Sequence, residues 1–241
     1  MMRILTFLLI GILMSPSIVF SEVTRKIIKN PDGTTHIVFY SEGKEIAKEI
    51  LNKDNNVIKT IGKIPDGIVN EYADNGKIKY KRYFKNGELE GVNKEYYESG
   101  KLKAEWNYKN GNLEGTSKEY YESGKLKFIK NFKNDKLEGT GNAYYESGKL
   151  KLETNYKNGK PEDTTKIYYE NGNLKSELNF KNGNLQGLSK EYYENGNLNF
   201  TITYENGQKI KMEEYEPDGK LKSQRHPSLK EKEGNRSKTP F

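Results

Sequence analysis

A repeat of 24 residues constrains this 241-residue chain more than any other feature of its sequence. A tyrosine recurs at that interval from Tyr72 to Tyr192, and a glycine recurs at it from Gly76 to Gly196. One unit, residues 94–115, reads KEYYESGKLKAEWNYKNGNLEG. Repetition at a fixed period of this length is typical of arrays in which each unit packs against its neighbours instead of around one central core.

Two turn signals divide each repeat. The first is Glu-Ser-Gly or Glu-Asn-Gly, which suits a type I turn followed by a glycine with positive φ. The second is Asn-Gly, as at Asn110 and Gly111. It is the strongest short-range hairpin signal, because a type I′ turn needs positive φ at both central residues. Each repeat is therefore predicted to be a β-hairpin.

Apolar and polar residues alternate between the turns. In the unit above, Leu102, Ala104, Trp106 and Tyr108 fall on one side of a strand, and no stretch of the chain shows a sustained helical period. The sequence predicts an all-β fold, an elongated single-layer antiparallel meander of tandem β-hairpins that is twisted or rolled. Bulges or close backbone approaches are predicted at Gly91, Gly115, Gly139 and Gly187.

Four segments are predicted along the chain. Residues 1–21 are a signal peptide, residues 22–69 are divergent N-terminal capping repeats, residues 70–221 are the repeat array, and residues 222–241 are a disordered basic tail. The tail has six lysine or arginine residues against two glutamates. It could contact a membrane surface or an acidic partner.

The leader predicts where the protein acts. It has a basic residue at Arg3, an apolar run from Ile4 to Met14 and then Pro16, which is the form of a secretory signal peptide. The alternative is an uncleaved anchor, but the apolar run is short for a membrane span. We expect export to the periplasm, the cell surface or the medium, with no transmembrane segment after the leader is removed.

Composition excludes several classes of function. The chain has no cysteine and only two histidines, His36 and His226, so thiolate chemistry and histidine-rich metal sites are excluded. No phosphate-binding glycine motif occurs. The formal net charge is +7, but much of the excess lies in the tail, which disfavours nucleic-acid binding. The sequence predicts a protein that is not an enzyme, with no catalytic residue, metal site or cofactor.

The repeated unit Y-x-x-G-x-L-x-x-E-x-x-Y-x-N-G-x-L-x-G resembles the MORN-repeat variant of bacterial proteins. The resemblance covers residues 70–221 well and residues 22–69 weakly. It implies an elongated, rolled or curved sheet of hairpins that serves as a binding or assembly module. Relatives in that family include antitoxins of toxin–antitoxin pairs and exported proteins linked to host interaction.

The aromatic residues are the candidate binding positions. Adjacent tyrosines such as Tyr96 and Tyr97 point to opposite faces of a strand, so that each face receives a row of aromatic rings. One reading is cross-strand packing, and the other is a platform for a partner. The predicted partner-binding residues are Tyr97, Trp106, Tyr108, Tyr121, Phe128, Tyr145, Tyr169 and Tyr193.

Three functions follow in order of preference. The first is an exported interaction or scaffold module that binds a protein, in host contact or envelope assembly; a homodimer is one arrangement open to it. The second, implied by the resemblance, is an antitoxin or immunity protein that masks a cognate toxin. The third is a cell-wall or glycan-binding protein, although such arrays usually carry a tryptophan in each unit and this chain has one.

Overall fold

The structure, a computed structural model, describes residues 21–226, and the regular elements in that range are all β-strands. The predicted signal peptide up to residue 20 and the predicted tail from residue 227 lie outside the described range. The strands join into one open sheet, which confirms the predicted all-β meander of hairpins. They are β1 (Val23–Lys29), β2 (Thr35–Ser41), β3 (Lys44–Leu51), β4 (Val57–Gly62), β5 (Gly67–Tyr72), β6 (Ile78–Lys85), β7 (Glu88–Leu89), β8 (Gly91–Tyr96), β9 (Leu102–Lys109), β10 (Asn112–Leu113), β11 (Gly115–Tyr120), β12 (Leu126–Lys133), β13 (Lys136–Leu137), β14 (Gly139–Tyr144), β15 (Leu150–Lys157), β16 (Lys160–Tyr168), β17 (Leu174–Lys181), β18 (Asn184–Leu185), β19 (Gly187–Tyr192), β20 (Leu198–Glu205), β21 (Gln208–Tyr215) and β22 (Leu221–Arg225).

Both predicted turn types form. Asn110 and Gly111 have φ values of 49° and 77°, the two positive angles that a type I′ turn requires. At the other turn, the Gly100 N–H donates to the Tyr97 carbonyl at 2.8 Å, and Gly100 has a φ of 90°. The chain therefore reverses twice in each 24-residue repeat.

A bulge interrupts the strand that follows each Asn-Gly turn. Phe84 pairs with Leu89, but Lys81 pairs with Lys94 instead of the residue at 92. Two additional residues are accommodated between the paired residues Leu89 and Lys94, where Gly91 has a φ of 61°. The predicted glycine positions in three later repeats, Gly115, Gly139 and Gly187, have φ values of 74–76°.

Hydrogen bonds join neighbouring repeats at both long edges of the sheet. At the Asn-Gly edge, the Asn110 N–H donates to the Glu90 carboxylate of the preceding repeat at 2.8 Å. The same bond recurs at Asn134, Asn158 and Asn182, each with the glutamate twenty positions earlier. At the other edge, tyrosine hydroxyls donate to main-chain carbonyls of the next repeat. Each repeat is thus fastened at both ends to its neighbour.

The two faces of the sheet differ in burial. On the buried face, a small residue stands opposite a larger one on the paired strand, as Asn93 does opposite Trp106 and Thr165 opposite Leu178. The small residues of this row, Asn93, Ser117, Gly141, Thr165 and Ser189, are buried. At Gly141, for example, the Tyr156 ring occupies the space that a side chain would take, so a larger side chain of the same sheet covers the small residue. The open face is the other side of the sheet.

The first four strands form a cap, and the cap departs from the predicted meander. β1 to β4 pair antiparallel in chain order, but β5 pairs in parallel with β1, with Val23 opposite Val69. The segment between β4 and β5 carries Ile64 into a core with Phe39, Ala47, Val69 and Phe84. One parallel pair therefore interrupts the antiparallel order, and this connection brings an additional apolar residue into the core.

The C-terminal end of the described sheet also differs from the predicted boundary. β22 pairs with β21 and includes residues 222–225, which the sequence analysis assigns to the tail. The Gly219 N–H donates to the Glu216 carbonyl at 2.8 Å and closes this last hairpin. Lys222 then binds Glu214 with an Nζ–Oε1 distance of 2.8 Å. The strand continues past residue 221 because the turn and the ion pair hold it against β21.

Candidate functional site

Five of the predicted binding residues form a ladder at the Glu-Ser-Gly edge. The hydroxyl of each donates to the main-chain carbonyl of a tyrosine in the following unit, at oxygen–oxygen distances of 2.6–2.9 Å. Burial, and then the carboxylates of Glu146 and Glu170, raise the pKa of Tyr121. The five residues of this tyrosine ladder are Tyr97, Tyr121, Tyr145, Tyr169 and Tyr193. Each therefore has a structural partner within the sheet.

Lysines accompany the rings of the ladder. The Nζ atoms of Lys103, Lys127, Lys151 and Lys175 lie 5.4–5.9 Å from the ring centroids of the first four tyrosines. Contacts of this kind contribute roughly 0.5–1 kcal/mol at exposed sites. These contacts hold the lysine side chains along the rings. The hydroxyl of each of these four tyrosines therefore bonds a main-chain carbonyl, and its ring contacts a lysine of the same protein. Binding of a partner at the ladder stays a prediction.

The other three predicted residues lie on the buried face and are half-buried. Trp106 stands opposite Asn93, and Tyr108 stands opposite Gly91, where burial raises the pKa of the Tyr108 hydroxyl. Phe128 lies further along, with the Lys130 Nζ 4.6 Å from its ring centroid. Trp106 and Tyr108 are neighbours on one strand, but the structure does not bring these three residues together with the tyrosine ladder as one site. Their role in binding also stays a prediction.

A buried charge cluster joins the cap to the first repeat. The Arg25 Nε donates to the Glu71 Oε2 at 2.7 Å, and both side chains are about nine-tenths buried. Burial lowers the pKa of the nearby Arg82, with Arg25 as the second cause, and burial raises the pKa of Glu49. Arg25 lies on β1 of the cap, and Glu71 lies on β5 of the first repeat. The ion pair between them therefore attaches the cap to the array.

An exposed apolar patch lies on the open face of the first repeats, and none of its residues is among the predicted binding residues. Ile68, Tyr83 and Val92 are 51%, 40% and 52% exposed. Ile68 pairs with Tyr83 across the first hairpin, and Val92 lies on the next strand of the same face. Neighbouring exposed apolar side chains are typical of binding surfaces. We call these three residues the apolar patch.

The patch departs from the repeat pattern. The positions equivalent to Ile68 and Val92 in the next three repeats are Thr116, Thr140 and Thr164. Those equivalent to Tyr83 are Asn107, Asn131, Asn155 and Asn179. Threonine and asparagine pair across the hairpins here, as the Thr116 hydroxyl does with the Asn131 side chain at 2.7 Å. Comparison of equivalent positions between repeats was the sequence signal that could have revealed the patch.

A shallow groove of about 350 Å³ follows the patch. Its lining residues are Ile68, Lys81, Arg82, Tyr83, Val92, Lys94 and Tyr96. Apolar side chains and lysine ammonium groups therefore share one depression. Such a lining can bury a partner's apolar side chains and attract negative charge.

Two features of residues 21–226 bear on other classes of function. This part of the chain has no group of three or more histidine, aspartate or glutamate side chains placed to hold a metal ion. It also has no helix with the length and apolar character that a membrane crossing requires.

Comparison with curated protein sequences returned no match. Among solved structures, the chain is similar to one titled as the crystal structure of TcdB2-TccC3-Cdc42, with 13% sequence identity and a TM-score of 0.18. The match covers 81% of this chain and 12% of that one, so the protein spans about an eighth of the length of the chain it matches. A TM-score this low does not establish a shared fold.

Comparison with protein families gives a specific result. The profile described as the MORN repeat variant matches six tandem segments, which together cover more than half of the chain. The segments are 65–86, 89–110, 113–134, 137–158, 164–182 and 185–206. They follow the 24-residue period and the hairpins of the sheet. The chain therefore belongs to the MORN repeat variant family.

Proposed function

We propose that this protein is an exported, non-enzymatic repeat protein that binds another protein through the apolar patch on its open face. The observation that carries the proposal is the exposure of Ile68, Tyr83 and Val92 at positions where the next three repeats have threonine or asparagine. Repeats of this family serve in protein or membrane interaction. Three adjacent apolar side chains of 40–52% exposure favour a protein, because partner residues can exclude water from them.

The place of action is proposed from the leader. The basic residue, apolar run and proline of residues 1–21 support export. An exported binding module suits contact with a host or assembly of the bacterial envelope. The sheet supports either role, because hydrogen bonds join the patch-bearing strands to the next unit at both edges: the Lys77 Nζ donates to the Ser99 carbonyl at 3.1 Å, and the Asn110 N–H donates to Glu90 at 2.8 Å.

Site-specific crosslinking tests the proposal. A photoreactive amino acid is placed at Val92 in the protein expressed in its native cells, and crosslinked products are identified by mass spectrometry. The matched control carries the same group at Leu188, which occupies the equivalent position four repeats later and is 46% exposed. We expect a discrete protein product from position 92 and none from position 188.

The identity of the crosslinked protein also distinguishes an immunity protein from an interaction module. A toxin crosslinked at position 92 assigns the protein as its immunity partner, whereas a host or envelope protein assigns it as an interaction module. Products that are equal at the two positions, or no protein product at either, contradict the proposed binding surface.

A further inference from the structure

We propose that the groove recognises an acidic segment of a protein partner, with a carboxylate between Lys81 and Lys94 and apolar side chains over the apolar patch. This inference rests on the proposed function and adds the chemistry of the partner. The evidence for that chemistry is the set of charged side chains that line the groove, which is an observation separate from the exposure of the apolar patch.

Two lysines face each other across the groove. Lys81 on β6 and Lys94 on β8 are direct partners in the strand register. Like charges directly opposite on one face of a sheet destabilise it. Lys94 has a carboxylate on its other side, since its Nζ lies 3.3 Å from Glu105 Oε1. Lys81 has no carboxylate within 4.0 Å among residues 21–226.

The following repeats mostly avoid this arrangement. The positions equivalent to Lys81 include Glu105, Glu153 and Glu177. Such a glutamate pairs with lysine of the neighbouring strand, as Glu177 does with Lys190 at 3.8 Å. In the first repeat the equivalent position holds lysine, at the same place where the threonine and asparagine positions become apolar. The coincidence of the two changes points to one ligand that has both apolar groups and negative charge.

A peptide segment fits these features better than an anionic membrane does. The groove holds two lysines and three exposed apolar residues in about 350 Å³, which matches a few side chains of one segment. A membrane surface attracts a broad basic face. The open face beyond the groove is instead interrupted by Glu105, Glu153 and Glu177, and two of these carboxylates pair with Lys94 and Lys190.

The test uses a random peptide library displayed on phage and selected against the purified protein. We expect the selected peptides to combine aspartate or glutamate with large apolar residues. The tightest peptide is then synthesised with a fluorophore, together with a version in which each acidic residue is replaced by its amide. The amide version should bind roughly tenfold or more weakly, and acidic-peptide binding should fall as ionic strength rises from about 0.15 M to about 1 M.

Variants built from the protein's own repeats locate the binding. Lys81→Glu installs the residue found at equivalent positions and should weaken acidic-peptide binding by roughly tenfold or more. It should also raise the unfolding midpoint, because it replaces the Lys81–Lys94 repulsion with an attraction. Val92→Thr, which likewise follows the repeat, should weaken binding roughly threefold to tenfold. Leu188→Thr is the matched control and should leave binding unchanged.

Other results overturn the inference in distinguishable ways. If the selected peptides are neutral but bind the Val92→Thr variant more weakly than the unchanged protein, the acidic specificity is overturned and the proposed protein-binding surface stays in place. Failure to select any peptide whose binding depends on Val92 counts against both. A last outcome is that no such peptide is found but the protein binds vesicles of phosphatidylserine and not vesicles of phosphatidylcholine. If the Lys81→Glu variant loses that binding, the groove is assigned to membranes.

Discussion

The cap and the repeat array bury their side chains in different ways. In the cap, one compact cluster around Phe39 and Ala47 is completed by Val69 and Phe84 from the first repeat. In the array, burial is spread along a row of small residues such as Thr165, and hydrogen bonds join each unit to the next. The difference indicates that the cap is stabilised by one apolar cluster, whereas the array is stabilised by many small contacts that recur in each unit.

The candidate groove lies where these two regions meet. The first repeat is attached to the cap through Val69, Phe84 and the Arg25–Glu71 ion pair. With that additional support, the first repeat and the next strand, β8, carry the exposed apolar patch and two opposed lysines, both of which disfavour the sheet locally. Experiments that compare the cap with the array therefore test the basis of the site as well as the fold.

The largest loss of stability is expected from Phe39→Ala. Phe39 is fully buried and contacts Phe84 edge-to-face, with ring centroids 5.8 Å apart. Removal of a buried phenylalanine costs about 3–5 kcal/mol. Phe132→Ala, at a half-buried position in the array, is the control and should cost less. Chemical denaturation followed by circular dichroism measures both, and equal losses would contradict the contrast between the two regions.

Loss of the buried ion pair should have the next largest effect. Glu71→Ala leaves Arg25 without its carboxylate in a buried setting, and removing one partner of such a pair costs about 3 kcal/mol or more. The control is Glu105→Ala, whose bond to Lys94 is more exposed and should contribute less than about 1 kcal/mol. Hydrogen exchange can show whether Glu71→Ala loosens β1 selectively. Uniform loosening along the array would argue against a role in cap attachment.

A smaller effect is expected within the tyrosine ladder. Tyr145→Phe removes the hydroxyl that donates to the Tyr168 carbonyl at 2.7 Å, and the loss should be about 1 kcal/mol. The neighbouring Tyr144→Phe is a matched control, because the Tyr144 hydroxyl makes no hydrogen bond to another residue of the 21–226 range. Thermal unfolding of both variants measures the difference. The ladder would have no stabilising role if the two variants melted together.

One position in the array offers a modest gain. Asp163 has a φ of 61° at the place where other repeats have a glycine such as Gly139. A side chain in this conformation is strained, so Asp163→Gly should stabilise the protein by up to about 1 kcal/mol. The reverse change, Gly139→Asp, should destabilise it by a similar amount. Denaturant titration of the pair checks the sign, and a loss in Asp163→Gly would show that the aspartate has another role.

The smallest predicted effect concerns one tyrosine at alkaline pH. Burial raises the pKa of Tyr156 above its ordinary value of about 10. The folded protein therefore holds this proton more tightly than the unfolded chain does. Its stabilising contribution is complete below about pH 10 and declines as the pH rises through the folded pKa. Tyr156→Phe should reduce the alkaline loss of stability, and an unchanged pH dependence would contradict the assigned burial.

The local structure of the repeats was predictable because the signals act over a few residues. Asn110-Gly111 requires two positive φ angles, and the alternation around Trp106 has the period of a strand. The parallel pairing of β1 with β5 was not predictable in this way. It depends on contacts between residues far apart in the chain, such as Phe39 with Phe84.

The candidate groove was also missed for a physical reason. Most of the predicted binding residues are aromatic residues that recur, but recurrence favours residues that pack one repeat on the next, as Tyr145 does. A surface that recognises one ligand needs residues that depart from the repeat. Ile68, Val92 and Lys81 do so, and they become a site only because the strands place them side by side.

The amino-acid sequence by itself determined the hairpin, its length, its turns and the number of times it recurs, because each of these depends on interactions within a few residues. Only the tertiary structure decided which face is covered, how the cap joins the array and which side chains remain in contact with water. Those outcomes depend on strand pairing and twist summed over the whole sheet, which bring distant residues such as Val23 and Val69 into register.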